Sequence, residues 1–162
     1  VDGFPLDYTP VRYPFFGVNS TVSGVGYNVA KALATLGNRV RFLSLVGRDL
    51  AGRLVRDSLA REGIAGDLVL PDLEHTAHSV ILYDADGRRQ INVDLKDIQE
   101  RAYPPAPFRE ALSGCGLAVL CNVNFSRPFL QEARRAGVRV ATDVHTIADL
   151  EVYHFVDCEA RP

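Results

Sequence analysis

Ser23-Gly24-Val25-Gly26-Tyr27-Asn28-Val29-Ala30 sets two glycines and two polar side chains where an apolar helical pattern begins. Backbone N–H groups at a helix start have no intrahelical partner, and glycines allow a ligand to approach them closely. Asn28 in the first turn adds a donor and an acceptor on one side chain, which suits a sugar hydroxyl. Three readings meet this loop. A dinucleotide fingerprint asks for Gly or Ala where Val29 stands and for a defined strand before Gly24. A phosphate-binding P-loop asks for Gly-Lys-Ser/Thr, which does not follow. The third reading is a glycine turn that only starts a helix.

Other reactive side chains form no further constellation. His75 and His78 are three apart, without further residues that could complete a zinc site. Cys115 and Cys121 flank an apolar run and read as core thiols. No Gly-x-Ser-x-Gly elbow supports hydrolase chemistry. Asp49, in Gly47-Arg48-Asp49-Leu50-Ala51-Gly52, is either a helix cap or a ligand.

The elements that position these residues follow from periodicity. Val25, Val29, Ala32, Leu33 and Leu36 form a helical stripe stopped by Gly37, and Val40 to Val46 is an apolar strand of the kind covered on both faces. Asp49 opens a second helix carrying Leu50, Leu54, Val55 and Leu59 and ending at Gly63. Ser79–Tyr83 and Gln90–Leu95 flank Asp84-Ala85-Asp86-Gly87-Arg88-Arg89, a hairpin signal. Ile91, Val93 and Leu95 fall on one face and Asn92, Asp94 and Lys96 on the other. Pro104-Pro105-Ala106-Pro107 breaks the chain. Leu117–Cys121, the stripe Phe129, Leu130, Ala133, Ala136, and Val138–Thr142 then make a strand–helix–strand unit with a right-handed crossover. The whole is α/β, a mostly parallel sheet with an antiparallel patch.

Composition bounds the class. The chain has 162 residues, 47% of them hydrophobic, and a net charge of -2. A chain of that length buries roughly 70% of its unfolded surface and needs no staples. The charge gives no bulk attraction to nucleic acid or to an anionic membrane, so neither is expected as a partner. Three cysteines, an odd number at no metal-like spacing, fit a reducing cytoplasm.

The segment from Ser23 to Leu36-Gly37 resembles the first signature of the ribokinase-like (PfkB) carbohydrate kinases, Gly-Gly-x-x-x-Asn-x-Ala before a helix ending in Leu-Gly. Val46-Gly47-Arg48-Asp49-Leu50-Ala51-Gly52, the helix closing at Glu62-Gly63-Ile64, and the Asp84–Arg89 hairpin are similar to the family in order and spacing, over roughly residues 1–145. The resemblance implies a doubly wound, mostly parallel sheet with a small antiparallel lid, whose strands are expected around 11–22 and 79–95. It implies ATP-dependent phosphorylation of a hydroxyl of a small sugar or nucleoside, with Mg2+. Carried residue by residue, it assigns substrate contacts to Gly24 and Asn28, with Ser23 replacing the family's first glycine, and to Asn92 on the lid. Asn122 and Asn124 follow the strand ending at Cys121, at the carboxyl end of the sheet where ligands bind in such folds, and Asp143 closes the next strand. Each keeps a structural alternative: a wet strand face for Asn92, helix caps for Asn122 and Asn124, a turn for Asp143. Phe155-Val156-Asp157-Cys158-Glu159 is similar to the family's Asn-x-x-Glu strand, which makes Glu159 the cofactor-binding candidate.

The same resemblance implies absences. Proton abstraction and charge stabilisation belong in this family to an aspartate in Gly-Ala-Gly-Asp, and no such segment occurs in the 162 residues. The whole chain is therefore expected to be the N-terminal substrate-binding portion of such a kinase, with the catalytic aspartate outside it and no phosphoryl transfer by the chain alone. A sheet cut midway would expose an edge and self-associate. Two alternatives stand beside this: a non-catalytic sugar-binding or dimerising half-kinase, with a homodimer through the lid strands, and a nicotinamide-dependent oxidoreductase resting on the Gly24-x-Gly26 loop.

Overall fold

In a computed structural model, residues 1–143 are described. The element order is α1 (Val25–Thr35), β1 (Ser44–Gly47), α2 (Leu50–Arg61), β2 (Val69–Leu73), β3 (His78–Tyr83), β4 (Arg89–Asp94), α3 (Pro105–Leu112), β5 (Leu117–Leu120), a 3-10 turn (Asn124–Ser126), α4 (Arg127–Arg135) and β6 (Arg139–Thr142). β1 pairs with β2 and β5 with β6, both parallel, while β3 and β4 form an antiparallel hairpin. Each parallel pair encloses a helix, as parallel neighbours require.

Alternation along β1 separates two apolar layers. Leu45 packs with Phe108, Leu112, Phe129 and Ala133 from α3 and α4. Val46, the next residue, packs with Tyr27, Ala30 and Leu59 from α1 and α2. Successive strand residues point to opposite faces, so helices cover this sheet on both sides. Stacking of Phe108 on Phe129, 3.9 Å between ring centroids, and an edge contact from Tyr103 to Phe129 at 6.0 Å lock the α3–α4 layer. The Tyr103 hydroxyl donates to the Leu68 carbonyl at 2.8 Å, just before β2, and burial pushes its pKa up to about 12.

Two elements depart from the periodic reading. β2 was hidden by Pro71, which interrupts a β pattern; its ladder is irregular there, and the Pro71 carbonyl takes the Arg48 guanidinium at 3.2 Å. The prolines at 105 and 107 begin a helix and do not break the chain: Pro105 is its first residue, where the missing N–H costs nothing. The strand expected within 11–22 is not formed. Gly17 N–H closes a turn onto the Pro14 carbonyl at 2.8 Å, Phe16 lies at φ 58°, and Pro10 and Pro14 donate to no ladder.

Gly47 and Gly52 mark a backbone crossing. A Cβ on Gly52 would sit 2.1 Å from the Gly47 carbonyl oxygen, and one on Gly47 would sit 2.6 Å from the Thr76 nitrogen. Gly52→Ala is expected to destabilise the fold by about 3 kcal/mol, lowering Tm by roughly 6–12 °C in a thermal melt. Gly66→Ala, whose Cβ would meet only the Arg56 Cγ at 4.0 Å, is expected to stay within about 0.5 kcal/mol.

Candidate functional site

Helix α1 begins at Gly24, whose φ of 116° is open to glycine and strained for other residues. No side chain caps the helix start. The Asn28 amide Nδ2 donates to Ser23 Oγ at 3.3 Å, so the two polar side chains of the loop share one hydrogen bond. Both line a groove of about 540 Å³ between α1 and α2, with Tyr27, Lys31, Ser58 and Glu62. Lys31 pairs with Glu62 at 2.6 Å, and that partner raises the lysine pKa.

The second glycine of the loop faces the other way. A Cβ on Gly26 would stand 3.4 Å from the Cys121 Sγ and 3.5 Å from the Phe42 ring. The first turn of α1 therefore rests on the carboxyl end of β5. Parallel register pairs Leu120 with Thr142, and the Thr142 hydroxyl donates to the Leu120 carbonyl at 2.8 Å, which brings Cys121 beside Asp143. Burial, then the charge of Asp143 and a hydrogen bond with it, push the Cys121 thiol up to about 11. The glycine loop, Cys121 and Asp143 are thus together, and the half-buried Asn122 follows directly.

Other expected residues lie in different surroundings. Asn124 spends both donors on Gln99: its N–H reaches Oε1 at 2.9 Å and its Nδ2 the carbonyl at 2.8 Å. Asn92 is exposed on β4, where Nδ2 donates to the Val80 carbonyl at 3.3 Å and Oδ1 accepts from Gln90 at 3.4 Å. Register puts Asn92 on one hairpin face with His78, Val80, Leu82, Gln90 and Asp94, and Ile81, Tyr83, Ile91 and Val93 on the opposite face. Glu159 lies outside the described residues. Among the described residues, no group of three or more His, Cys, Asp or Glu side chains could hold a metal ion.

The sequence left Asp49 as either a helix cap or a ligand. Its carboxylate does accept from Gly52 N–H at 2.8 Å, and it also accepts from the Thr76 N–H at 2.9 Å and the Thr76 hydroxyl at 2.6 Å. Nothing local in the sequence signals a partner so far along the chain. The dinucleotide alternative loses its geometry, since no strand precedes Gly24 to make the strand–loop–helix unit it needs.

Helix-covered pairs of parallel strands, with a glycine-started helix over the carboxyl end of β5, make the doubly wound, ribokinase-like arrangement. Residues 14–113 match the pfkB family carbohydrate kinase, and the chain belongs to that family. A fructokinase from Klebsiella pneumoniae is 29% identical over 135 residues, covering 78% of this chain and 44% of its own length. An acarbose 7(IV)-phosphotransferase from Actinoplanes sp. is 28% identical over 160 residues, covering 96% of this chain and 53% of its own. A solved structure of a microbiome-derived acarbose kinase superposes with a TM-score of 0.78 at 26% identity, covering 89% of this chain and 48% of that one. The chain spans about half the length of the relatives it matches. No helix among the described residues is long and apolar enough to cross a membrane.

The Cys121 environment predicts slow alkylation. With a thiol pKa of about 11 against about 8.5 for a free cysteine, iodoacetamide at pH 8 should label Cys121 roughly two orders of magnitude more slowly than a model thiol. Peptide-resolved mass spectrometry should show the rate still climbing above pH 10; a plateau near pH 9 would contradict this environment.

Proposed function

We propose that this chain is the sugar-binding portion of an ATP-dependent carbohydrate kinase, holding the acceptor hydroxyl of a neutral sugar under a β lid. The observation that carries the reading is the glycine loop: Gly26 seats the helix start on the carboxyl end of β5, while on the other side of the helix Asn28 and Ser23 offer neutral donors and acceptors to the α1–α2 groove. Family membership supports the reaction class, and the names of the relatives make fructose and acarbose the first acceptors to try. ATP with Mg2+ would supply the transferred phosphoryl group. Hairpin β3–β4 is the lid in this reading, with Asn92 as its polar contact and Asn122 as the contact from the strand end. Asn124, held to Gln99, acts by fixing the segment below the lid.

The 162 residues contain no Gly-Ala-Gly-Asp segment to supply base and anion hole, so the chain alone binds sugar and transfers no phosphate. Isothermal titration with fructose and acarbose tests the first half of this statement, and an ADP-release assay on the same sample tests the second. Asn28→Ala should weaken binding about tenfold, close to the loss of one good hydrogen bond. Absence of binding to either sugar, or sugar-dependent ADP formation by the chain, would overturn the corresponding half.

A second reading, a half-kinase that pairs through its lid, is favoured by the exposure of Val80, Ile81, Tyr83, Ile91 and Val93 on the hairpin. Sedimentation equilibrium should then show a dimer that Ile91→Lys converts to monomer.

A further inference from the structure

We propose that Asp49 is a positioning residue for the lid: its carboxylate holds Thr76, and through Thr76 the base of hairpin β3–β4, against the end of β1 and the start of α2. The proposal rests on the lid reading above for its functional meaning and on the following geometry for its substance.

A helix cap uses one acceptor, and Asp49 spends one on Gly52. Its two other bonds go to Thr76, which lies in the connection between β2 and β3. Thr76 is buried, 7% exposed, and its hydroxyl oxygen also accepts the Gly47 N–H at 2.9 Å. One threonine thereby joins the last residue of β1 to the cap of α2. The Thr76 carbonyl in turn accepts from Nδ1 of His78, the first residue of β3, at 2.6 Å. The chain of bonds runs without a gap from α2 to the lid strand.

Steric fit removes the slack from these bonds. The Thr76 nitrogen and the His75 Cα would lie 2.6 and 2.9 Å from a Cβ on Gly47. Only a glycine there lets the lid base come so near. The Thr76 hydroxyl would likewise lie 3.2 Å from a Cβ on Gly52. Beyond this point every residue of β4 and all but one of β3 are exposed, and the far end of the hairpin meets residues 1–4, where Val1 N donates to the Tyr83 carbonyl at 2.7 Å and the Arg88 guanidinium lies 5.7 Å over the Phe4 ring. Its other leg returns through Lys96 at φ 52° to Ile98, which packs on the core, and to Gln99, which takes both donors of Asn124. The Asp49–Thr76 latch is the fastening that ties the base of the hairpin to the sheet through a carboxylate.

The charge is needed for the count. Three donors meet two carboxylate oxygens, and an amide offers one oxygen and turns an NH2 group toward an N–H. Thr76 first, then Gly52, holds the Asp49 carboxyl well below the usual carboxylate range, so the latch is closed at neutral and mildly acidic pH.

Hydrogen exchange with mass spectrometry tests the latch on the intact chain. Asp49→Asn keeps an oxygen for the Gly52 cap and opposes an NH2 to the Thr76 N–H. Thr76→Val leaves the cap untouched and deletes both hydroxyl bonds, and Thr76→Ser restores them. In the first two variants, exchange over residues 76–94 should accelerate about tenfold while α2 and β5 change by less than about twofold, and Thr76→Ser should match the parent. Unchanged exchange over 76–94, or an even loss of protection across α2 and β5, would overturn the proposal. Fructose and acarbose titrations of the same variants judge the lid reading separately: faster exchange with unaltered sugar affinity would keep the latch and remove the hairpin from the site.

Discussion

The structure depends on β1 being covered on both faces and ending in a backbone crossing. Leu45 and Val46 are adjacent, each nearly inaccessible, and each belongs to a different apolar layer. A strand in that position can spare no polar side chain, so its hydrogen-bonding groups must be met by the chain itself. At its carboxyl end the sheet gives way to Gly47, where the chain enters α2 and the base of the hairpin passes within contact distance. Side chains are excluded there, and the polar groups brought together are met by one carboxylate and one threonine hydroxyl. The two helical layers, the start of α2 and the root of the hairpin are consequences of that single packing solution.

The same economy shapes the glycine loop. Gly24 supplies a backbone angle that other residues resist, and Gly26 supplies contact with Cys121; the two glycines have different jobs a residue apart. Cys121 is neutral at physiological pH because burial and the neighbouring Asp143 both oppose a thiolate. The floor beneath the helix start is thus a small, polarizable, uncharged side chain, which packs closely without competing for the helix-terminal N–H groups.

Much of this was legible in the sequence where local chemistry decides local structure. Gly37 at φ 82° and Gly63 at φ 71° end α1 and α2 as the patterns implied, and Gly87 at φ 82° with the Asp84 carboxylate shapes the expected hairpin turn. The strand–helix–strand unit from Leu117 to Thr142 came through for the same reason. What was illegible is what depends on distant partners. A strand containing Pro71 forms beside β1, and residues 11–22 form no strand, their prolines and the Pro14–Gly17 turn interrupting an extended run. α3 shows a subtler limit: prolines that stop a helix in its interior start one at its first turn, and composition does not say which. Asp49 and Thr76 meet across the β1–β2 unit, as Cys121 and Asp143 meet across the β5–β6 unit, by register that only tertiary pairing fixes.

Charge in the α1–α2 groove bears on what could be held between the two helices. Ser23, Asn28 and Ser58 contribute neutral donors and acceptors, and Arg61 donates to Ser58 Oγ at 2.9 Å. Lys31 and Glu62 are spent on one another. An anionic ligand would have to break that pair to gain the ammonium, and a cationic one to gain the carboxylate, each leaving the other charge without its partner. A polyol needs neither. It can exchange hydrogen bonds with the hydroxyls and amide while the ion pair stays intact, and its many hydroxyls match groups that both donate and accept. Arg61 adds a cation that no carboxylate in the groove neutralises, so the Lys31–Glu62 pair limits what a ligand gains there without by itself excluding an anion.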